Sequence, residues 1–197
     1  MRSKDANKER QIRSAALSMI VEEGFDGLSL HKLARAAGIS TATIYTYFKD
    51  RDDLILKVYA EVSERMFAAT LAGFDAHMDF EAGLRVQWIN RARYFLAHPL
   101  EMQFMEQVKF SPYHERASTV TGSHFRQQMK TFVLHAIETK QLVAVPVEVY
   151  WAIAFAPLYQ LMKQHIHGRS LSGTGKFALN DGLLEQTLKL VLKSLKP

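Results

Sequence analysis

Cysteine is absent from the 197 residues, which removes disulfide frameworks, thiol nucleophiles and thiolate metal sites together. Proline is sparse, at five residues. No uninterrupted apolar run nears the roughly 20 residues of a membrane-spanning helix, so no membrane partner is expected. Catalytic signatures are missing as well. Gly173-Thr174-Gly175 lacks the glycine and lysine pattern of a phosphate loop, and no nucleophile elbow occurs. His165 and His167 flank Ile166, and residues two apart on a helix face different ways, which makes a poor zinc pair. Ser172 approaches His167 only along a glycine-rich stretch, which is no catalytic assignment. No catalytic residue, metal site or cofactor is therefore expected. A helical enzyme and a helical protein-interaction module stand as alternatives. A clustered His and acid cavity would favour the first, and a flat exposed apolar face without a two-fold mate the second.

An apolar share of 48% excludes general disorder. The length suits a small domain joined to a larger helical one, or a single compact body. The formal charge of +5 is modest and favours a nucleic-acid partner weakly; its placement says more. Up to Lys49 there are eight Lys or Arg against five Asp or Glu, with Arg2, Lys4, Lys8, Arg10 and Arg13 gathered at the start. Met1 to Arg13 has neither an apolar core nor a cleavage site, and a cytoplasmic location is the expectation.

The most informative stretch is Ser29 to Arg51, SLHKLARAAGISTATIYTYFKDR. Leu30, Leu33, Ala34 and Ala37 recur at intervals of three and four and share one helix face, and Ser29 stands where an N-cap belongs. Gly38 supplies the positive backbone angle that ends a helix cheaply, Ile39 can turn inward, and Ser40 can cap the next segment. The second helix, Thr41 to Phe48, has Ile44 and Phe48 inward and Tyr45 half-buried, which leaves Thr41, Ala42, Thr43, Thr46 and Tyr47 for an outside partner. So short a helix is not stable alone. Held by neighbours, its small polar side can approach a DNA major groove about 12 Å wide. From periodicity alone, the pair also reads as one helical hairpin among several in an all-helical core.

Ser29, Leu33, Ala34, Ala37, Gly38, Ile39 and Ser40, then Tyr45 and Phe48, then Lys49, Asp50, Arg51, Asp52 and Leu54 carry a resemblance. The stretch from about Ile12 to Leu56 resembles the N-terminal domain of the TetR/AcrR family of transcriptional repressors. In that family a supporting helix precedes a Thr/Ser-x-x-x-Leu-Ala-x-x-Ala-Gly-Val/Ile-Ser segment and a Tyr-x-x-Phe segment. One departure is Thr46-Tyr47, where many members carry a Tyr-His or His-Tyr pair. The resemblance implies a three-helix DNA-binding domain over residues 1–50. Over 51–197 it implies a divergent helical domain that binds an inducer and forms a homodimer. It assigns the Tyr47 and Arg51 positions to phosphate contacts.

The remaining pattern is helical throughout. The opening helix, about Asn7 to Glu23, carries Ile12, Ala15, Ala16, Met19 and Ile20 on one stripe that can seat the pair, with Gly24 and Gly27 turning the chain. Asp50 and Asp53 make a cap and its reciprocal partner before a helix that runs to about Leu71. Another helix spans Phe80 to Ala97 and ends at His98-Pro99. A short one contains Phe104, Met105, Val108 and Phe110, and a further one runs from about Glu115 to Thr139. Val145-Pro146 opens a helix from Val147 to His167, which Pro157 is expected to kink or divide. Gly168 to Gly175 reads as a loop. The last helix, Leu179 to Leu195, repeats Leu184, Leu188, Val191 and Leu195 on one stripe. The expectation is an all-α protein of about nine helices.

Roles on DNA follow from side-chain chemistry. Thr41, Ala42, Thr43 and Thr46 suit base edges, the hydroxyls as donors or acceptors and the methyls against thymine. Ser29, His31, Tyr47, Lys49 and Arg51 suit phosphate, and Tyr45 either touches the backbone or packs. No Arg, Asn or Gln stands on this helix, so specificity leans on methyl contacts, DNA shape or water. Two copies about a two-fold axis would read a palindromic duplex operator together. The helices Val147 to His167 and Leu179 to Leu195, apolar beyond one stripe, form the homodimer interface or else the centre of one monomer. Trp88, Arg91, Tyr94, Phe104, Met105, Tyr113, Met129, Phe132, Trp151, Phe155 and Tyr159 are candidates to line the pocket that the resemblance implies, for a small, largely apolar or aromatic ligand, although most serve as core in any case. Arg91, Arg93, Gln103, Glu106, His114, His124 and Gln160 are the polar candidates. An inward Glu106 favours a cationic ligand, and an inward Arg91 or Arg93 an anionic one.

Overall fold

The computed structural model describes residues 2–168, 170, 171, 173 and 175–197, with side chains from Ala6 onward except that of Val120. The readings of Ser172 and Thr174, and of the Arg2 and Lys4 charges, lie outside the described residues. Among those described, the chain forms ten helices: α1 (Arg2–Gly27), α2 (Leu30–Ala36), α3 (Thr41–Tyr47), α4 (Arg51–Thr70), α5 (Phe80–Ala97), α6 (Pro99–Lys109), α7 (His114–Val120), α8 (Ser123–Glu138), α9 (Val147–His167) and α10 (Asp181–Leu195). Among the described residues no helix is long and apolar enough to cross a membrane.

The chain divides into two compact units, residues up to Arg65 with His98–Gly122, and Met66–Ala97 with Ser123–Pro197. This differs from a boundary at residue 50, because α4 as far as Arg65, α6 and α7 belong with the N-terminal helices.

In the first unit, α1 buries Ile12, Ala16, Met19 and Ile20, the stripe its periodicity predicts. The helical angles fail at Gly24. Ser29 caps α2, its Oγ accepting from Lys32 N at 3.1 Å. Gly38 follows at φ 65°, a left-handed conformation that costs glycine little and turns the chain towards α3. Ser40 caps α3, its Oγ accepting from Thr43 N at 3.1 Å. At the head of α4, Asp50 Oδ1 accepts from Asp53 N at 2.8 Å and Asp53 Oδ2 accepts from Lys49 N at 2.9 Å. This is the expected reciprocal cap with its return bond one residue upstream. α6 buries Met102, Phe104, Met105 and Val108 and packs on α1, where Gln107 Nε2 donates to Val21 O at 3.2 Å.

In the second unit, α5 packs against α8, α9 and α10. The Trp88 indole N–H donates to Ala154 O at 2.8 Å and so ties α5 to α9. Phe132 of α8 stacks on Phe80 and meets Phe74 edge-on, at centroid distances of 5.6 and 5.1 Å. Asn180 caps α10, accepting from Leu183 N at 2.9 Å, so that helix starts at Asp181 rather than Leu179.

Two expectations about helix continuity are corrected. The stretch from Glu115 to Thr139 is two helices, because Thr121 is extended (φ −140°, ψ 171°) and Gly122 sits at φ 84°; hence ten helices rather than nine. Of the kink or division expected at Pro157, the division does not occur, since α9 runs through it; the missing N–H deprives the Ile153 carbonyl of its helical partner.

Candidate nucleic-acid interface

α3 is held by its inner side. Ile44 and Phe48 are buried as expected, whereas Tyr45, expected half-buried, is 56% exposed. The outward face is therefore Ala42, Tyr45 and Thr46, with Thr41, Thr43 and Tyr47 half-buried at its margins. The hydroxyls already serve the motif. Thr41 Oγ1 and His31 Nδ1 lie 3.1 Å apart and join α3 to α2, and Thr43 Oγ1 lies 2.9 Å from Ser40 Oγ. Thr46 Oγ1 donates to Ala42 O at 3.2 Å, which leaves its lone pairs and methyl for a partner. Ser29 Oγ accepts at the cap and keeps its own O–H to donate.

The far end of α3 is fixed by Lys57. Its Nζ donates to Tyr47 O at 3.1 Å, pairs with Asp53 at 3.0 Å and stands 5.3 Å over the Phe48 ring. A cation at a helix C-terminus complements the helix dipole. Burial pushes the Asp53 carboxyl up, but the Lys49 N–H and Lys57 hold it below the usual carboxylate range.

Arg51, expected at phosphate, faces inward. Its Nε donates to Leu28 O at 2.9 Å, Nη2 donates to Phe25 O, and Nη1 donates to Tyr113 OH at 3.3 Å. The Tyr113 hydroxyl in turn donates to Asp52 Oδ1 at 2.9 Å, and Arg116 Nη1 to Asp52 Oδ2 at 2.7 Å. Hydrogen bonds from Arg116 and Tyr113 hold the Asp52 carboxyl below its ordinary value, while burial and the bond to Asp52 push the Tyr113 phenol up. Arg51 thus closes the α1–α2 connection from within. Nothing local announces this, since the two carbonyls lie 23 and 26 residues away in sequence.

The cations left at the surface beside α3 are Lys32, Arg35 and Lys49, with the His31 imidazole. Lys32 pairs with Glu23. Lys8 and Arg10 are exposed on α1, whereas Arg13 is bound to Glu9 at 3.0 Å and Glu61 at 2.6 Å.

The residues expected to line a pocket divide between the units. Phe104, Met105 and Tyr113 belong to the first: Phe104 is fully buried, Met105 Sδ accepts from Ser63 Oγ at 3.8 Å, and Tyr113 joins Arg51. α6, which carries Phe104 and Met105, packs on α1, and Tyr113 stands at the head of α7. Glu106, half-buried, also belongs to that unit. In the second unit, Arg91, Trp151, Phe155 and Tyr159 come together, joined by Phe125, which the sequence reading passed over. Trp88 and Phe132 are core, Tyr94 is buried edge-on to Phe95, and Met129 is half-buried on α8. Arg93, His124 and Gln160 are exposed there, and His114 and Gln103, the one exposed and the other half-buried, lie in the first unit. A separate half-open groove of about 360 Å³ runs between α5 and α10, with apolar Ile89, Leu96, Leu184 and Leu188 along it and Arg93 and Glu185 among its charges. His165 Nδ1 accepts from Leu179 N at 3.0 Å, a structural bond. No cluster of three or more His or acidic residues able to hold a metal exists among the described residues.

Residues 12–58 match the model of the tetR family of bacterial regulatory proteins. An uncharacterized HTH-type transcriptional regulator of Haemophilus influenzae is 34% identical over 113 residues, 57% of this chain and 60% of that protein. The chain spans between 28 and 60% of the length of the curated relatives compared. A TetR family protein of Vibrio parahaemolyticus, solved as a structure, is 26% identical, with a TM-score of 0.69 over 95% of this chain and 98% of that one. A TetR family transcription regulator from Marinobacter aquaeolei VT8 shares the fold at a TM-score of 0.76 and 22% identity, over 99% of this chain and 98% of that one.

Proposed function

The chain belongs to the tetR family of bacterial regulatory proteins, and from that premise we propose that it is a sequence-specific, homodimeric transcriptional repressor, released from a palindromic duplex operator when a small molecule binds its second unit. It acts in the cytoplasm. The observation that carries the DNA reading is the outward face of α3, where Ala42, Tyr45 and Thr46 stand clear of a helix anchored by Ile44 and Phe48. A methyl, a phenol and a hydroxyl with a methyl suit a groove floor read through thymine methyls and single hydrogen bonds. Tyr47, Lys49, His31 and the Ser29 hydroxyl flank that face and take phosphates. Thr41 and Thr43 reach bases at its margin, and Arg51 supports the motif instead of touching DNA.

Dimerisation is supported by apolar surface on α9 and α10, where Val147 is 62% and Leu190 63% exposed. Ligand release is supported by the aromatic groups gathered in the second unit, and by α4, whose residues belong partly to each unit. An inducer must bind the DNA-incompetent arrangement more tightly, because equal affinity for both arrangements shifts no population.

Selection on randomised duplexes tests this reading. The wild-type protein should enrich a palindrome. Tyr45→Ala and Thr46→Ala should change the enriched sequence, and Lys49→Ala should weaken all sequences alike. Failure to enrich any sequence over bulk DNA rejects the regulator. With a reporter behind the selected operator, expression that rises on adding the protein rejects repression.

A further inference from the structure

Arg91 on α5 is 1% exposed. Its Nη1 donates to Tyr159 OH at 2.7 Å, while Nε and Nη2 have no hydrogen-bond partner among the described residues, where no carboxylate pairs with it. Three rings stand around the cation instead, with centroids at 4.5 Å for Phe155, 5.4 Å for Trp151 and 5.5 Å for Phe125. Gln87, one turn earlier on the same helix and fully buried, has neither Nε2 nor Oε1 partnered among the described residues. Positions four apart on a helix share a face.

Aromatic faces stabilise a guanidinium through their quadrupoles. They do not satisfy its in-plane N–H groups, and a buried charge with donors left over is costly. Which donors are left over matters. Nε–H and one N–H of Nη2 point the same way from a single edge of the planar guanidinium, spaced for the two oxygens of a carboxylate. The other end of the group is the one Tyr159 occupies. A single unmatched positive charge suits a single negative one, and the surrounding rings suit an apolar or flat body.

We propose that Arg91, with Gln87 beside it, is an anion-recognition site in the second unit, and that its ligand is a monocarboxylate with an apolar or aromatic body. The carboxylate lies along the Nε and Nη2 edge, the Gln87 amide supplies a further polar contact, and the body packs on Trp151, Phe155 and Phe125. This rests on the reading of the protein as a ligand-released repressor and narrows the inducer to an anionic class.

The test uses the full-length protein with benzoate and octanoate, each set against its neutral amide, benzamide and octanamide. Both acids should raise the melting temperature with concentration, and titration calorimetry should show them binding at least about tenfold more tightly than the amides. Arg91→Lys keeps a cation but loses the fork, and it should weaken acid binding by about tenfold or more. Should that variant not fold, Gln87→Met, which leaves Arg91 intact, should weaken the acids several-fold and leave the amides unchanged. No binding by either acid, amides that bind as tightly as acids, or unchanged acid binding in a folded variant of either position overturns the proposal. Operator binding is measured in parallel. Intact DNA binding without acid selectivity rejects the anion site alone, and acid binding by a protein that selects no DNA rejects the repressor alone.

Discussion

Arg51 and Lys49, two residues apart beside α3, stand in different surroundings. Arg51 donates to two backbone carbonyls of the α1–α2 connection, whereas Lys49 is exposed. Arg51→Ala should therefore destabilise the protein by about 1–3 kcal/mol in urea denaturation, because it leaves those carbonyls and Tyr113 without their donor. Lys49→Ala should leave stability nearly unchanged and lower the salt slope of DNA binding by about one. Asp52 adds a pH dependence. Its carboxyl lies below its ordinary 3.8 because Arg116 and Tyr113 bind the charged form. Its contribution is therefore complete above that value and is lost as pH falls through the lower value of the folded state. The melting-temperature difference between wild type and Asp52→Asn should be constant near neutrality and shrink on acidification below 3.8. Added salt should reduce it near neutrality, where the carboxylate is charged, since the Asp52 side chain is 42% exposed.

At the scale of elements, helix ends were legible and helix partners were not. Ser29, Ser40 and Asp50 cap as expected, because the bonds close within three residues. The break between α7 and α8 is also written locally, in Thr121-Gly122, although apolar periodicity continues on either side of it. The packing of α5 on α8 was not legible, and it depends on one absent side chain. A Cβ at Gly83 would stand 2.4 Å from Phe132 Cε2 and 2.7 Å from its Cζ. Phe132 is fully buried between Phe74 and Phe80 and has little room to yield. Gly83→Ala should cost about 1–3 kcal/mol in thermal denaturation despite its better helix propensity.

For the whole molecule, the question is what covers the exposed apolar side chains of α9 and α10. Val147 and Val149, at 62 and 41% exposed, and Leu190, at 63%, sit on helices that already pack on each other. Sedimentation across micromolar dilution should give a dimer for the wild type. Leu190→Glu should move it towards monomer by placing a charge in an apolar interface. Operator affinity should fall in step, because two recognition helices then no longer add their contacts. A wild-type monomer that stays so on DNA would reject the two-fold arrangement.

The sequence by itself determined the all-α class, the position of the helix-turn-helix and which side of α3 is buried. Each of these rests on spacings of three or four residues, which the geometry of the helix converts directly into a face or a cap. Tertiary structure alone decided where the long polar side chains went. Arg51 meets carbonyls 23 and 26 residues away, and Arg91 meets Tyr159 across 68. It also decided that Phe104 and Met105 serve the first unit and that Gln87 is buried beside Arg91. A helical stripe states that a face is covered. What covers it depends on how the helices stack, and side-chain charge and aromatic content leave that open.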